Sequence, residues 1–232
     1  MLNIVFVETA LETVPKSIQD HPSVRRDAER RGKRPSMVLL DRSLHHSAMR
    51  GLPKAHKRGR PDIIHFCLLE ALGSPLNLEG GLRVWIHTFG GYAIEVSPEV
   101  RLPRDCLRFK SLMEQLFALG RVPPSGEKPL LSLNRMSLSD LLAKIAPTRK
   151  IALTSHGAPR SLEMICEGLA EEENPTVLIG AYPSGAMEEE TLSQADEALS
   201  IYPKVLDAWV VTSRLIYAYE MAEAHKTIKK RS

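Results

Sequence analysis

The residues best suited to chemistry in this sequence lie in "RLPRDCLRF", positions 101–109, which sets Arg101, Arg104 and Arg108 into a chain of formal net charge only +3. A guanidinium is a poor base, but its planar fork pairs with phosphate and its face stacks on an unpaired base. Three of them close together suit an anionic polymer. Pro103 fits the first position of a helix, where its missing N–H costs nothing and its φ is already helical. The pattern predicts a helix from Pro103 towards Leu119, with Arg104 and Arg108 four apart on one face and Arg101 in the extended entry before them. In that register Arg104 falls in the first turn, where the helix dipole disfavours a cation. Either Asp105 or an outside anion must offset it.

A second set of candidates comes from three turns that follow apolar runs: "LTSHG" (153–157), "IGAYPSG" (179–185) and "LSIYP" (199–203). In open α/β sheets ligands gather at the carboxyl ends of strands, and glycine lets a ligand approach the backbone closely. For a single such turn, plain turn chemistry is the commoner explanation. The sequence has no GxGxxG and no GxxxxGK[ST] run, which disfavours a dinucleotide fold or a P-loop. The cofactor class left is an adenosine-type molecule without a phosphate tail, such as S-adenosylmethionine. His45 and His46 could touch RNA or act as a base, or be structural; the same choice stands for His65, His87 and His156, none in a metal-binding spacing. Cys67, Cys106 and Cys166 are odd in number and widely spaced, which argues against a disulfide frame or a zinc site and for a reducing compartment. No metal is expected.

Alternating strands and helices must position these groups. "NIVFVE" (3–8) and "SMVLLD" (36–41) read as buried parallel strands joined by the polar helix "HPSVRRDAERRGK", a βαβ opening. "PDIIHFCLLEALG" (61–73) reads as a buried helix bounded by Pro61 and Gly73, and "LRVWIHT" (82–88) with "YAIEVS" (92–97) as a hairpin. "VPPSGEKP" is a loop, "SLSDLLAKI" a capped helix and "KIALTS" (150–155) another buried strand. Then come a helix over 161–170, strands at 176–181 and 197–202, and a long final helix from Pro203. The predicted fold is α/β with a mainly parallel sheet.

With 232 residues and 43% hydrophobic content the chain is expected to be a single domain with one elaboration. No run approaches the roughly 18 apolar residues of a membrane span, and the N-terminus lacks a basic leader, so a soluble cytoplasmic protein without membrane contact is expected. Charge is unevenly placed: residues 1–111 carry +6 and residues 112–232 carry −3. "RRDAERRGKRP" and "KAHKRGRP" concentrate the excess, and such segments are either nucleic-acid contacts or solvated helix faces. The tail "KTIKKRS" poses the same choice. Trp209, Tyr217 and Tyr219 on the last helix read as core or dimer interface.

Taken in order, "LLDRSLHHSAM", "GRPDIIHFCLLEALGSPLN", "RVWIHT", "RLPRDCLRFKSLMEQL", "IGAYPSG" and "LSIYP" resemble the small-subunit ribosomal RNA pseudouridine N1-methyltransferases, a ribosome-biogenesis family of the SPOUT class, over nearly the whole chain. The resemblance implies a SPOUT fold with a C-terminal trefoil knot, one domain over 1–232 with a family elaboration at about 43–110, a homodimer, and S-adenosylmethionine as methyl donor. It implies rRNA contacts at Arg60, Arg101, Arg104 and Arg108, with Asp62 orienting Arg60 and first among the carboxylates to test as a general base. Around the cofactor it places Thr154, Gly157, Gly180, Gly185 and the segment Leu199, Ser200, Ile201, Tyr202, Pro203 and Lys204, the last through its backbone. Other ribosome assembly factors are expected partners. Two further readings stay open: a non-catalytic rRNA-binding assembly factor that holds S-adenosylmethionine as a structural ligand, and an α/β enzyme acting on a small metabolite.

Overall fold

The N-terminal apolar run becomes the centre of the molecule. Every residue of strand β1 (Leu2–Thr9) is buried, because β2 (Leu82–Thr88) and β7 (Pro175–Gly180) pair with it in parallel on either side. In this computed structural model, which describes residues 1–229, one sheet of eight strands runs in the order β4-β5-β3-β2-β1-β7-β6-β8. The remaining strands are β3 (Tyr92–Val96), β4 (Arg121–Val122), β5 (Leu131–Arg135), β6 (Arg149–Pro159) and β8 (Glu197–Ser200). The five from β2 to β8 in that order are mutually parallel, and β3, β5 and β4 add an antiparallel edge through the predicted hairpin. The mainly parallel α/β reading holds.

The helices are α1 (Pro22–Arg30), α2 (Arg42–His45), α3 (Pro61–Gly73), α4 (Pro75–Leu78), α5 (Cys106–Leu119), α6 (Leu138–Ile145), α7 (Leu162–Ala170), α8 (Glu189–Leu192) and α9 (Ala208–Lys229). One face of the sheet packs Leu2, Ile4 and Phe6 of β1 against α3, α5, α7 and α9. On the opposite face Val5 and Val7 meet Leu141 and Leu142 of α6. This is the period-two alternation of a strand buried on both sides. Helix α3 ends where its proline and glycine mark it; it is largely buried, with Phe66, 46% exposed, and Glu70 on its open side. Of the basic tail, residues 230–232 lie outside the described residues. Among the described residues no helix is long and apolar enough to cross a membrane.

Three boundaries correct the sequence reading. "SMVLLD" is no strand of the sheet: Pro35–Met37 form a 3-10 turn and Leu39 makes one antiparallel bridge to Thr13. Of its four apolar residues Met37 is exposed and the other three alternate, Leu39 into the main core and Val38 and Leu40 into a separate cluster with Val24 and Ala28 of α1, so the expected βαβ opening is absent. Helix α5 begins at Cys106, because the Asp105 side chain accepts the Arg108 amide at 2.9 Å and caps the helix there. Arg104 therefore precedes the helix, and no dipole penalty needs offsetting. The last helix begins at Ala208, five residues after Pro203, whose fixed φ suits an extended segment as well as a helix.

Candidate functional site

Strands β7, β6 and β8 are neighbours and parallel, so the three glycine-bearing or proline-bearing turns leave the sheet on one edge. A cavity of about 310 Å³ opens there, walled by Leu153–Ser155, by the turn after β7 from Ile179 to Met187, by Ser200–Tyr202 with Lys204 and Val205, by the start of α9, and by Arg60 and Ile63 at the start of α3. Thr154, Gly180, Gly185, Ser200, Ile201, Tyr202 and Lys204 line it, as expected from the resemblance; Gly157, Leu199 and Pro203 do not. Leu199 is 2% exposed in the core. Pro203 is exposed.

Gly157 has a different reason to be glycine. The β6–β8 register slips there, Leu153 and Ala158 both aligning with Leu199, so residues 154–157 bulge out of the ladder toward the cavity mouth. A Cβ on Gly157 would sit 2.5 Å from the Leu199 backbone nitrogen and carbonyl carbon. Strand β8 occupies the space a side chain needs. Gly185, at φ +99, is in a region that favours glycine, and a Cβ there would meet the His56 ring at 3.1 Å and Lys57 Cε at 3.4 Å. A larger residue would therefore act on the 56–57 turn first, through backbone strain, and on the cavity only at second hand. Gly180 lets the Tyr182 ring fold across it, since a Cβ would fall 2.6 Å from the ring edge.

Sequence reasoning missed what holds the 181–188 wall. Lys57, buried to 1% exposure, donates to Glu8 Oε2 at 2.6 Å and to the Ala186 carbonyl, and pairs with Glu188 Oε1 at 2.8 Å. Its ammonium also lies 4.5 Å from the centroid of Tyr182. The bonds from Lys57 and Lys54 hold the Glu188 carboxyl down at about 2, while burial, with Glu8 and Glu188 nearby, pushes the Tyr182 phenol up. Tyr182 lies inside the quoted "IGAYPSG", but nothing local marks Glu8 or Lys57.

The basic segments divide. In "KAHKRGRP" every cation has an internal partner: Lys54 with Glu188, Lys57 with Glu8, Arg58 bidentate to Glu12 at 2.7 Å for both bonds, and Arg60 with Asp62. In "RRDAERRGKRP" Arg31 and Lys33 reach the buried Glu114 of α5 at 2.6 and 2.5 Å, and Arg30 pairs with Asp27. Charge counting alone cannot separate these structural pairs from a free basic surface. Arg101, Arg104 and Arg108 are all exposed and take no ion pair or side-chain hydrogen bond among the described residues. They are held in place nonetheless. His65, one turn beyond Asp62 on α3, donates Nε2–H to the Pro103 carbonyl at 2.7 Å and stacks on Phe109 with ring centroids 4.2 Å apart. The arginine segment is thus docked beside the helix whose first turn walls the cavity.

Arg60 belongs to both regions. It lines the cavity, and its Nε and Nη2 donate to the two Asp62 oxygens at 2.8 and 2.7 Å, which raises the guanidinium above its ordinary range. Asp62 thus orients Arg60, with both of its oxygens engaged. Of the other histidines, His45 is fully buried, accepts the Asp41 amide on Nδ1 and is held by burial below the usual imidazole range, and His87 donates to the Met136 carbonyl. His46 and His156 are exposed. Burial pushes the Cys67 and Cys166 thiols up to about 12. Trp209 is half-buried on the cavity rim and packs against Phe66, Tyr219 is core, and Tyr217 is 64% exposed.

A cavity with apolar walls at Ile179, Ile201, Leu206 and Trp209, polar side chains at Thr154, Ser155 and Ser200 and no glycine-rich phosphate cradle suits a nucleoside-like molecule. The unpaired arginines alongside suit a polyanion. Known proteins agree with this pairing. A model of the family described as EMG1/NEP1 methyltransferase matches residues 4–220. The sequence is 47% identical over 219 residues to the ribosomal RNA small subunit methyltransferase Nep1 of Staphylothermus marinus, covering 94% of this chain and 95% of that protein. The protein of the same name from Thermococcus kodakarensis is 42% identical over 225 residues, 96% and 99% of the two chains. The crystal structure of Archaeoglobus fulgidus Nep1 bound to S-adenosylhomocysteine matches with a TM-score of 0.84 at 39% identity, covering 96% of this chain and 98% of that one. The fold, the cavity and these likenesses together place the chain in the EMG1/NEP1 methyltransferase family.

Proposed function

We propose that the protein transfers a methyl group from S-adenosylmethionine to N1 of a pseudouridine in small-subunit ribosomal RNA, as a step of ribosome biogenesis in the cytoplasm. The observation that carries this reading is the shared position of Arg60, on the wall of a nucleoside-sized cavity and beside the docked segment of Arg101, Arg104 and Arg108. The residues fit the methyl donor: Ile179, Ile201, Leu206 and Trp209 give apolar walls, Gly180 lets the Tyr182 ring lie close against it, and Thr154, Ser155 and Ser200 line the same cavity. Bound S-adenosylmethionine supplies an electrophilic methyl group on a positively charged sulfur.

The chain's own residues then have separable tasks. Thr154, Gly180, Gly185, Ser200, Ile201, Tyr202 and Lys204 bind the donor, and the apolar wall excludes water from it. Gly157, Leu199 and Pro203 act by shaping the turns. Arg60, Arg101, Arg104 and Arg108 hold the RNA loop, pairing with phosphates and stacking on splayed bases. Reaction then depends chiefly on positioning and on charge placement. Asp62 keeps Arg60 aimed, and its carboxylate is the first to test as a base on the N1 proton. The SPOUT topology with its trefoil knot belongs to the same proposal. So does a two-fold dimer, supported by the exposed Phe66, Tyr217 and Met221 on α3 and α9. Other assembly factors are proposed partners on the same ground of kinship.

The test is methyl-label transfer to a small-subunit rRNA hairpin made with uridine or pseudouridine at the target. Label should enter only the pseudouridine hairpin, and equal labelling of both would reject the N1 assignment. Light scattering at micromolar concentration should give the mass of a dimer.

A further inference from the structure

We propose that Lys57 is a positioning residue that fixes the 181–188 wall of the cavity and joins it to Arg60, so that methyl donor and RNA bind cooperatively. This rests on the reading of the cavity as the donor site. Lys57 is a buried cation with all three donors satisfied, an arrangement tolerated only where geometry is good. Apart from Glu8, its partners all come from one loop: Glu188, the Ala186 carbonyl and the Tyr182 ring. Glu8 joins the same cluster, because its Oε1 accepts the Glu188 amide at 2.8 Å while its Oε2 accepts from Lys57. Glu8 itself sits at φ +51, a conformation that a non-glycine residue keeps only where its surroundings impose it.

Further ties run between the same two segments. Ser184 Oγ donates to the His56 carbonyl at 3.1 Å, Lys54 pairs with Glu188 at 2.9 Å, and Gly185 packs on His56 and Lys57. Three residues beyond Lys57, the Arg60 amide donates to the Ala10 carbonyl at 3.2 Å, and the Ala10 amide donates to the Ala181 carbonyl at 2.9 Å. Residues 54–60 therefore hold the cavity wall at both ends and terminate in an arginine proposed to grip RNA. A donor that orders the wall must order this segment and Arg60 with it. By linkage the reverse holds, and RNA tightens donor binding by the same factor.

The experiment measures S-adenosylhomocysteine affinity with and without the rRNA hairpin, and hairpin affinity with and without S-adenosylhomocysteine, by calorimetry. K57M/E8Q removes both buried charges together, so neither is stranded. In the unaltered protein each ligand should tighten the other by at least about fivefold. In K57M/E8Q that factor should fall to about one and S-adenosylhomocysteine affinity by about tenfold, with hairpin affinity alone within about twofold. The KM for the methyl donor should rise while kcat at saturation stays within about threefold. If the double variant does not fold, E188Q, which leaves Lys57 bonded to Glu8, should still lower the coupling factor by about twofold or more. Absence of coupling in the unaltered protein, or full coupling retained in the variants, overturns the role of Lys57. Failure of the unaltered protein to bind S-adenosylhomocysteine at all would instead remove the donor-site reading.

Discussion

Gly157→Ala probes the place where β6 and β8 pass closest. The added Cβ would lie 2.5 Å from N and C of Leu199 and 2.6 Å from C of Ala198, where ordinary contact begins at 3.4 Å. All three are main-chain atoms of a strand or its entry, so no rotamer change relieves the overlap. The strands must part. Overpacking of a core costs about 1–3 kcal/mol, and a rigid receiving backbone puts this site near the upper end. At about 2–4 °C per kcal/mol for a domain of this size, 3 kcal/mol corresponds to a melting temperature lower by about 6–12 °C. Because the 200–205 rim of the cavity continues from β8, S-adenosylhomocysteine affinity should fall with it. Scanning calorimetry and isothermal titration measure the two effects. Gly73→Ala is the internal control: it closes α3, lies outside the left-handed region, and has no atom within 4 Å of the point a Cβ would occupy, so alanine there should stabilise by about 0.5–1 kcal/mol. A Gly157→Ala protein melting within about 2 °C of the unaltered one would refute the close-approach argument.

Replacing Arg101, Arg104 or Arg108 by alanine should leave the melting temperature and donor affinity unchanged, since none has an internal partner among the described residues, while weakening hairpin binding. Each lost phosphate contact should also reduce the log–log salt slope by about 0.7, the value for single strands, and unaltered slopes in all three would end the RNA-grip assignment. Asp62→Ala should release Arg60 and weaken hairpin affinity at nearly constant stability, because the pair is partly exposed and worth only about 0–1 kcal/mol; Asp62→Asn should be milder, and equal loss in the two variants would contradict an orienting role. Glu188 titrates near 2 when folded against an ordinary 4.5, so its pairing stabilises the protein above pH 4.5 and is lost as pH falls from there towards 2. Urea midpoints of E188Q should accordingly fall less steeply with acid than those of the unaltered protein between pH 4.5 and 2.

Local chemistry made much of this molecule legible before any coordinates. The uninterrupted apolar run of β1, the hairpin of β2 and β3, and α3 with its Pro61 start and Gly73 end depend on side-chain periodicity and backbone preference, which are written in neighbouring residues. So were the glycine turns that wall the cavity, and the arginine segment. Two local signals compete at the start of α5: Pro103 and Asp105 both announce a helix start, and the hydrogen-bonding cap decides. "SMVLLD" has the apolar residues of a strand but found its neighbours in α1 and α5. The tertiary structure alone decided which cations are free. Lys57 and Arg58 meet acceptors 49 and 46 residues away, Glu8 and Glu12, and Lys57 also reaches a carbonyl 129 residues further on. Gly157 likewise answers to a strand much later in the chain. Pairing and close approach depend on distance in space, and only the packing of the sheet and its helices brings those distant partners within reach.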